Sequence, residues 1–295
     1  LAAAVGADPG ALGRTLRALA HRGVFAETAP GVFALTPLAE PLRTDHPLSV
    51  RDTYALLASD VRAWAHLDHT ARTGGPGFDR AHGIGYWDHL ATHPADSAAV
   101  DRWMESASRL HLRTAAPAYP WRELASLVDV GGGTGVFLAG LLARQPGLRG
   151  ALLDLPHVVA GADAVLRAAG VRERCEVLGA SVFDGVPAGA DAYLLKTVLP
   201  GFDDGAAEAA LRAVRAAMRP DSRLLLMEAV LPAGDAFDVA KLFDVHTLVL
   251  TGGAHRTLAG TGRLLDRAGL RLVRTIPTPT LTILEAHPAA EPPEA

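Results

Sequence analysis

The run Asp129-Val130-Gly131-Gly132-Gly133-Thr134-Gly135 is the segment whose residue types and spacing most directly imply chemistry. It follows a short apolar run, Leu127 to Val130, and precedes an amphipathic stretch, Val136 to Arg144. Glycines at such a strand-to-helix turn permit a tight bend and let a ligand approach the backbone closely. Asp154 ends the next apolar run, at about the 20-residue distance at which an acid can bond ribose hydroxyls. A Gly-rich turn with a solvated Asp nearby would explain the same residues without a ligand. The joint placement favours a nucleotide-bearing one. Dinucleotide sites use Gly-x-Gly-x-x-Gly, with a pyrophosphate at the helix N-terminus. Here the spacing is Gly131-x-Gly133-x-Gly135, with Asp129 two residues ahead. An acid there supports an ammonium-bearing ligand and is awkward beside a pyrophosphate.

Other chemistries lack their residues. There is no Gly-x-Ser-x-Gly turn and no Walker sequence. His66 and His69 can share a helix face, but no carboxylate or Cys spacing completes a metal site, so no metal is expected. His246, in Phe243-Asp244-Val245-His246, is expected on a helix surface. The formal net charge is -4, which gives no general attraction to nucleic acid or anionic lipid. No run reaches the roughly 20 apolar residues that span a bilayer, and no signal peptide is visible. The single cysteine, Cys175, excludes an internal disulfide and suits a reducing cytoplasm. Aromatic residues make up 5% of the chain, so the core must rest on Ala, Val and Leu.

The elements that must position these residues fall into two parts. The front reads helix, turn, helix, hairpin. Asp8 and Pro9 open a helix as N-cap and first position, Leu12, Leu16 and Leu19 give it an apolar stripe, and Gly23 ends it. Val24 to Glu27 and Val32 to Leu35 read as strands around Pro30-Gly31. This is a winged-helix pattern. Its arginines Arg14, Arg17 and Arg22 are offset by nearby acids, which favours packing or dimerisation over reading DNA. Residues 50 to 117 read as mostly helical, and Asp101 to Pro117 as a helix linking the two parts. Trp64, Trp87 and Trp103 lie in this layer, beside which a flat apolar substrate could rest. The chain starts at Leu1 inside what reads as a helix, so a preceding segment is expected.

From Leu124 onward, short apolar runs alternate with amphipathic segments, as in a parallel sheet wrapped by helices. Strands are expected at Leu127–Val130, Ala151–Leu155, Cys175–Leu178, Ala192–Lys196, Leu224–Val230, Leu270–Ile276 and Leu281–Ala286. Helices are expected at Val136–Arg144, Val158–Ala169 and Asp204–Met218, with two more before Leu270.

The glycine spacing with its preceding acid resembles class I methyltransferases. The resemblance then broadens. Leu153-Asp154-Leu155-Pro156, Phe183-Asp184, Leu195-Lys196, Met218-Arg219-Pro220, Met227-Glu228 and Gly252-Gly253-x-x-Arg256-Thr257 follow in order. With the winged-helix front, they resemble the bacterial relatives of plant caffeate-type O-methyltransferases. That implies an α/β, Rossmann-like, seven-stranded domain over residues 118–287. It implies a mostly helical winged-helix dimerisation and substrate-lid domain over 1–117, a homodimer, and a tail over 288–295. The implied cofactor is S-adenosylmethionine, or S-adenosylhomocysteine after transfer. The implied substrate is an aromatic or polyketide-type natural product, with no nucleic acid or membrane partner.

The resemblance also assigns residues. Gly131, Gly133 and Gly135 would border the methionine and ribose parts, with Asp129 supporting the ammonium. Asp154 would take the ribose hydroxyls. Leu155, Ser181, Val182 and Phe183 would surround the adenine. Lys196 would lie near the sulfonium end, and Ser108 would reach the cofactor carboxylate. Ser181 stands where family members often carry Asp, which weakens the contact to the adenine amino group.

The family's catalytic positions are altered. Its general base is a His after the Leu-Lys strand, oriented by two acids. Here Pro200 occupies that position, and proline accepts no proton. Glu228 is retained, and the second acid is replaced by His255. Three readings follow. His255 takes over as base, oriented by Glu228 or Asp244. Alternatively no strong base is needed, because an already acidic hydroxyl or carboxylate, or an amine, reacts through proximity and orientation. In the third, the methyl group is not transferred and the scaffold serves a decarboxylase, hydroxylase or cyclase. A DNA-binding regulator that senses the cofactor is disfavoured by the absence of a basic cluster.

Overall fold

A computed structural model of the protein describes residues 1–54 and 57–289. Residues 290–295, most of the expected tail, lie outside the described residues. The chain divides into two compact units, Leu1–Ala55 and Leu56–Ala295.

The first unit contains α1 (Ala2–Val5), α2 (Pro9–His21) and the antiparallel hairpin β1 (Phe25–Ala29) and β2 (Val32–Leu35). Asp8 Oδ1 accepts from the Ala11 amide at 2.8 Å, and Pro9 sits at the first helical position. This satisfies an amide that the first turn leaves without a partner. The hairpin turns at Gly31, whose φ of 76° suits glycine. Arg17 pairs with Glu27 at 3.3 Å, so this arginine is neutralised within the unit. Among the described side chains of this unit only Ala39 is buried, while Leu1, Val5, Val32, Leu35 and Leu38 stand half or more exposed.

The second unit opens with α3 (Ala58–Trp64), α4 (Leu67–Thr73), α5 (Gly77–His82), α6 (Tyr86–Thr92) and α7 (Pro94–Ala115). Then come β3 (Ser126–Val130), α8 (Val136–Arg144), β4 (Arg149–Asp154), α9 (Pro156–Val159), α10 (Ala162–Ala168) and β5 (Cys175–Gly179). The rest are β6 (Ala192–Lys196), α11 (Asp204–Ala217), β7 (Arg223–Glu228), α12 (Val239–Thr251), α13 (Leu258–Arg267), β8 (Leu270–Pro277) and β9 (Thr282–Pro288).

One seven-stranded sheet runs in the order β5-β4-β3-β6-β7-β9-β8, and β9 lies antiparallel to both neighbours. Successive strand residues point to opposite faces. Leu127, Leu152, Leu194 and Leu225 therefore pack on one side with Phe137, Leu138, Leu141 and Leu142 of α8. Val128, Leu153, Tyr193 and Leu224 pack on the other with Leu211 of α11 and Leu264 of α13. Burial on both faces is why the strands read as continuous apolar runs. The chain winds from β3 outward through β4 and β5, then crosses back to β6 on the opposite side of β3. That reversal opens a crevice at the C-terminal strand ends, where open α/β sheets hold ligands.

Three elements differ from expectation. The helix expected over Val158–Ala169 is two pieces, α9 and α10, with Gly161 at the N-cap of the second. The linking helix α7 begins earlier than Asp101, at Pro94, which is suited to a first helical position. The domain boundary expected after residue 117 also differs, because α3 to α7 fall in the unit that holds the sheet. Leu112 and Ala115 of α7 join the core beside α8. Ala63, Phe78, Tyr86 and Leu90 pack with Val249 and Leu250 of α12.

Candidate active site and cofactor cradle

β3 delivers Asp129 and the glycine turn to the crevice. Gly131, Gly133 and Gly135 all hold positive φ, at 68°, 65° and 83°. Their surroundings differ. A Cβ on Gly131 would stand 2.7 Å from Val198, and one on Gly135 would stand 2.9 Å from Leu152. These two are fixed by packing against the protein itself. A Cβ on Gly133 would meet nothing within 4 Å, so this glycine borders open space. Its amide donates to Asp154 Oδ2 at 2.7 Å, and the Leu155 amide donates to Oδ1 at 2.7 Å. Burial raises the Asp154 pKa and these two amides oppose the rise. Each carboxylate oxygen keeps a further lone pair for a hydroxyl.

Asp129 is fully buried, and neither of its oxygens has a hydrogen-bond partner among the described residues. Burial pushes its pKa up to about 7, against the pull of Lys196. Lys196, at the end of β6, is buried with its ammonium 5.9 Å from the centre of the Phe137 ring. Burial lowers its pKa, and Asp129 and Glu228 oppose that. Orphaned buried charges beside a glycine cradle and a ribose acid fit a ligand that carries both an ammonium and a carboxylate. S-adenosylmethionine has that donor set.

α7 closes one side of this region. Glu105 accepts from the Thr134 hydroxyl at 2.8 Å. Asp101 is pushed up to about 6 by burial, with Asp154 and Glu105 adding to the rise. Ser108 is buried on the same helix. His111, less than one turn beyond Ser108, was not singled out from the sequence. Burial and then Lys196 push its pKa down to about 3, and its buried Nδ1 has no partner. The spacing from Ser108 was the signal that could have found it, since residues three apart on a helix are neighbours. On the adenine side, Phe183 is exposed and meets the edge of Phe202 at 5.5 Å. Ser181 Oγ accepts from the Phe183 amide at 3.3 Å, and the Ser181 amide donates to Asp184 at 3.2 Å. Val182 packs against the neighbouring core.

Pro200 lies buried in the short turn Leu199–Gly201 that follows β6. Gly253 rests on that turn so closely that a Cβ would stand 2.1 Å from the Pro200 carbonyl oxygen. Arg256 fastens the two segments together. It donates to the carbonyls of Leu199 at 3.1 Å and Phe202 at 3.0 Å, and to Asp204 at 2.9 Å. Thr197, just ahead, holds a φ of 57°, which is costly for a β-branched residue and marks the turn as strained.

His255 sits half-buried on the loop held this way. Its Nδ1 lies 3.3 Å from the Ala229 carbonyl oxygen, and its ring stacks on Phe243 at 6.4 Å. A carbonyl only accepts, so Nδ1 carries the hydrogen and Nε2 keeps its lone pair. Burial lowers the His255 pKa, which leaves the ring neutral near pH 7. The orientation of His255 differs from expectation. Asp244 accepts from the backbone amide of His255 at 2.8 Å and so fixes the loop, while the Ala229 carbonyl fixes the ring. Glu228 makes no hydrogen bond to His255. Its carboxyl group is buried, and burial pushes its pKa up to about 8, against the Leu199 amide, the charges of Lys196 and Arg256, and the Val198 amide.

His246 also departs from expectation. It is half-buried, with its ring stacked on Trp64 and edge-on to Trp103. Among the described residues no group of three or more His, Cys, Asp or Glu side chains is placed to hold a metal ion. No helix among them is long and apolar enough to cross a membrane.

Comparison with known proteins bears on this geometry. Residues 64–271 match the family model of the O-methyltransferase domain. A phenazine O-methyltransferase of Lysobacter antibioticus is 37% identical over 290 residues, covering 98% of this chain and 85% of the relative. An 8-amino-8-demethylriboflavin N,N-dimethyltransferase of Streptomyces davaonensis is 36% identical over 279 residues, covering 92% and 80%. The crystal structure of an O-methyltransferase from neocarzinostatin biosynthesis contains S-adenosylmethionine and 2-hydroxy-5-methyl naphthoic acid. It superposes with a TM-score of 0.84 at 34% identity, covering 97% of this chain and 87% of that one. All three are named for methyl transfer, and nothing found supports a decarboxylase, hydroxylase or cyclase. A match of this extent, laid over the glycine cradle and its ribose acid, means that this chain belongs to the S-adenosylmethionine-dependent O-methyltransferase family.

Proposed function

We propose that the protein methylates a hydroxyl group on a flat aromatic or polyketide-type small molecule, with His255 as general base. The observation that carries this reading is the Nδ1 contact to the Ala229 carbonyl, which leaves Nε2 free to accept a proton. When bound, S-adenosylmethionine supplies an electrophilic methyl group on a positively charged sulfur. Asp154, the Gly133 backbone and Asp129 would hold it, with Lys196 near its sulfonium end and Ser108 and His111 toward its carboxylate. Leu155, Val182 and Phe183 would border the adenine.

A phenol with a pKa of roughly 10 is a poor nucleophile at neutral pH. His255 Nε2 takes its proton as the oxygen gains the methyl group, and Asp244 keeps the loop in place. Pro200 takes no part in the proton transfer. Its turn supports the loop that presents His255, through Gly253 and Arg256. Two of the relatives named above are named for a phenazine and an aminoriboflavin, and the solved neighbour holds a naphthoic acid, which supports an aromatic acceptor. The exposed apolar residues of the first unit support a homodimer. The lone Cys175 supports work in a reducing cytoplasm.

The pH dependence of kcat/KM on a phenolic acceptor tests the assignment. The His255 pKa lies below its ordinary value of 6.5. The base form is therefore complete above that value and is lost as pH falls through the lowered pKa. Activity should hold near pH 7 and fall only as pH drops below the ordinary imidazole value, through the lowered pKa of the essential base. An acid limb that persists unchanged in His255→Ala would overturn the role.

A further inference from the structure

α12 carries a second polar side chain that methyl transfer does not use. The Trp64 indole Nε1 donates to His246 Nδ1 at 3.0 Å. An indole N–H can only donate, so Nδ1 is the acceptor and the ring hydrogen sits on Nε2. Burial lowers the His246 pKa and keeps the ring neutral. Trp64 stacks on this ring at 6.0 Å with planes 21° apart, and Trp103 meets it edge-on at 6.3 Å. The Trp64 bond is the only hydrogen bond of His246 among the described residues, so Nε2–H has no protein acceptor.

A phenylalanine or leucine would fill this space at less desolvation cost than an imidazole. Accepting from Trp64 explains Nδ1, while Nε2–H is not among the buried polar atoms and stays open to a ligand. Position indicates which ligand. Phe243, one turn earlier on α12, stacks on the ring of His255. Residues three apart on a helix are neighbours, so His246 lies one step along α12 from the ring that touches the proposed base. A flat ring system with its hydroxyl at His255 would extend along α12 toward the two indoles.

We propose that His246 is a specificity-determining residue. Its Nε2–H, fixed by Trp64, donates to a carbonyl-type oxygen that the aromatic substrate carries away from the reacting hydroxyl. This inference rests on the reading of the protein as a methyltransferase of aromatic hydroxyls. A ligand site built this way is apolar and flat, with one placed donor giving orientation and selectivity.

The test uses the full chain saturated with S-adenosylhomocysteine, titrated calorimetrically with 6-hydroxy-2-naphthoic acid, whose carboxylate lies at the far end of the ring system from its hydroxyl, and with 2-naphthol. The native protein should bind the acid about tenfold more tightly, the worth of a hydrogen bond to a charged acceptor. His246→Phe, which keeps a ring against Trp64, should bring the two probes to near equality by weakening the acid alone. His246→Gln, whose amide can present a donor in place of Nε2–H, should restore part of the preference. Cofactor affinity should not change in either variant. The inference is overturned if His246→Phe retains the preference or weakens both probes alike. It is equally overturned if the native protein shows no preference or binds neither probe. Binding to the cofactor-product form needs no methyl transfer. A preference that depends on His246 in a protein that transfers no methyl group would overturn the functional reading and leave this site standing.

Discussion

His255→Ala is expected to lower turnover on a phenolic acceptor by about a hundredfold or more, the usual contribution of a positioned general base. Cofactor affinity should stay unchanged. The expectation comes from the division of labour around the loop. Asp244 holds the backbone amide of His255, which an alanine retains, so the loop should keep its path. Arg256 still ties the loop to the carbonyls of Leu199 and Phe202. What disappears is the ring whose Nδ1 meets the Ala229 carbonyl and whose Nε2 accepts the proton. Glu228 makes no hydrogen bond to His255, and burial, which raises its pKa to about 8, leaves it mostly protonated at pH 7, so it is a weaker base there. Proximity to the cofactor would remain, which can supply several kcal/mol, so the variant should be slow and not dead. Steady-state kinetics with calorimetric control of cofactor binding checks this. A variant as active as the native protein would show that the acceptor needs no base, as an amine or an acidic hydroxyl would not.

Asp154→Ala is expected to weaken S-adenosylmethionine binding by about 1.5 to 3 kcal/mol, roughly a tenfold to hundredfold rise in Kd. Two effects add. The substitution removes the acceptor for the ribose hydroxyls. It also releases the Gly133 and Leu155 amides, each held at 2.7 Å, and Gly133 borders open space at the turn. The affinity loss should therefore come with a less ordered turn, seen as faster amide exchange at Gly133. Calorimetry with the native protein and the variant measures the first effect. An unchanged Kd would remove Asp154 from the site.

The cofactor side of this protein was legible in its sequence because it is local. Asp129, the three glycines and Asp154 lie on two consecutive strand ends, and periodicity alone places both. The sheet was legible for a similar reason. Ala192–Lys196 is buried along its whole length and reads as an uninterrupted apolar strand. The catalytic side was less legible because its geometry depends on contacts far apart in the chain. Nothing in the sequence spacing joins His255 to Ala229, which are 26 residues apart, or Trp64 to His246, which are 182 apart. Asp244 was expected to orient the His255 ring, and only the tertiary structure shows it serving the backbone. His111 escaped notice because a lone His on an amphipathic helix reads as ordinary. Its significance lies in Lys196, which reaches it from a different element. The domain boundary differed because helical periodicity tells which segments are helices and not which core their apolar faces join.

The measurement that tests the central claim most directly is incubation with S-adenosylmethionine carrying an isotopically labelled methyl group. The acceptors would come from a metabolite extract of the source organism lacking this gene, followed by mass spectrometry. A product that carries the label on an aromatic oxygen, with matching S-adenosylhomocysteine, is the predicted result, and its rate should collapse in His255→Ala. A product that changes mass without label, with the cofactor intact, would contradict the account and make the methyl group a bystander.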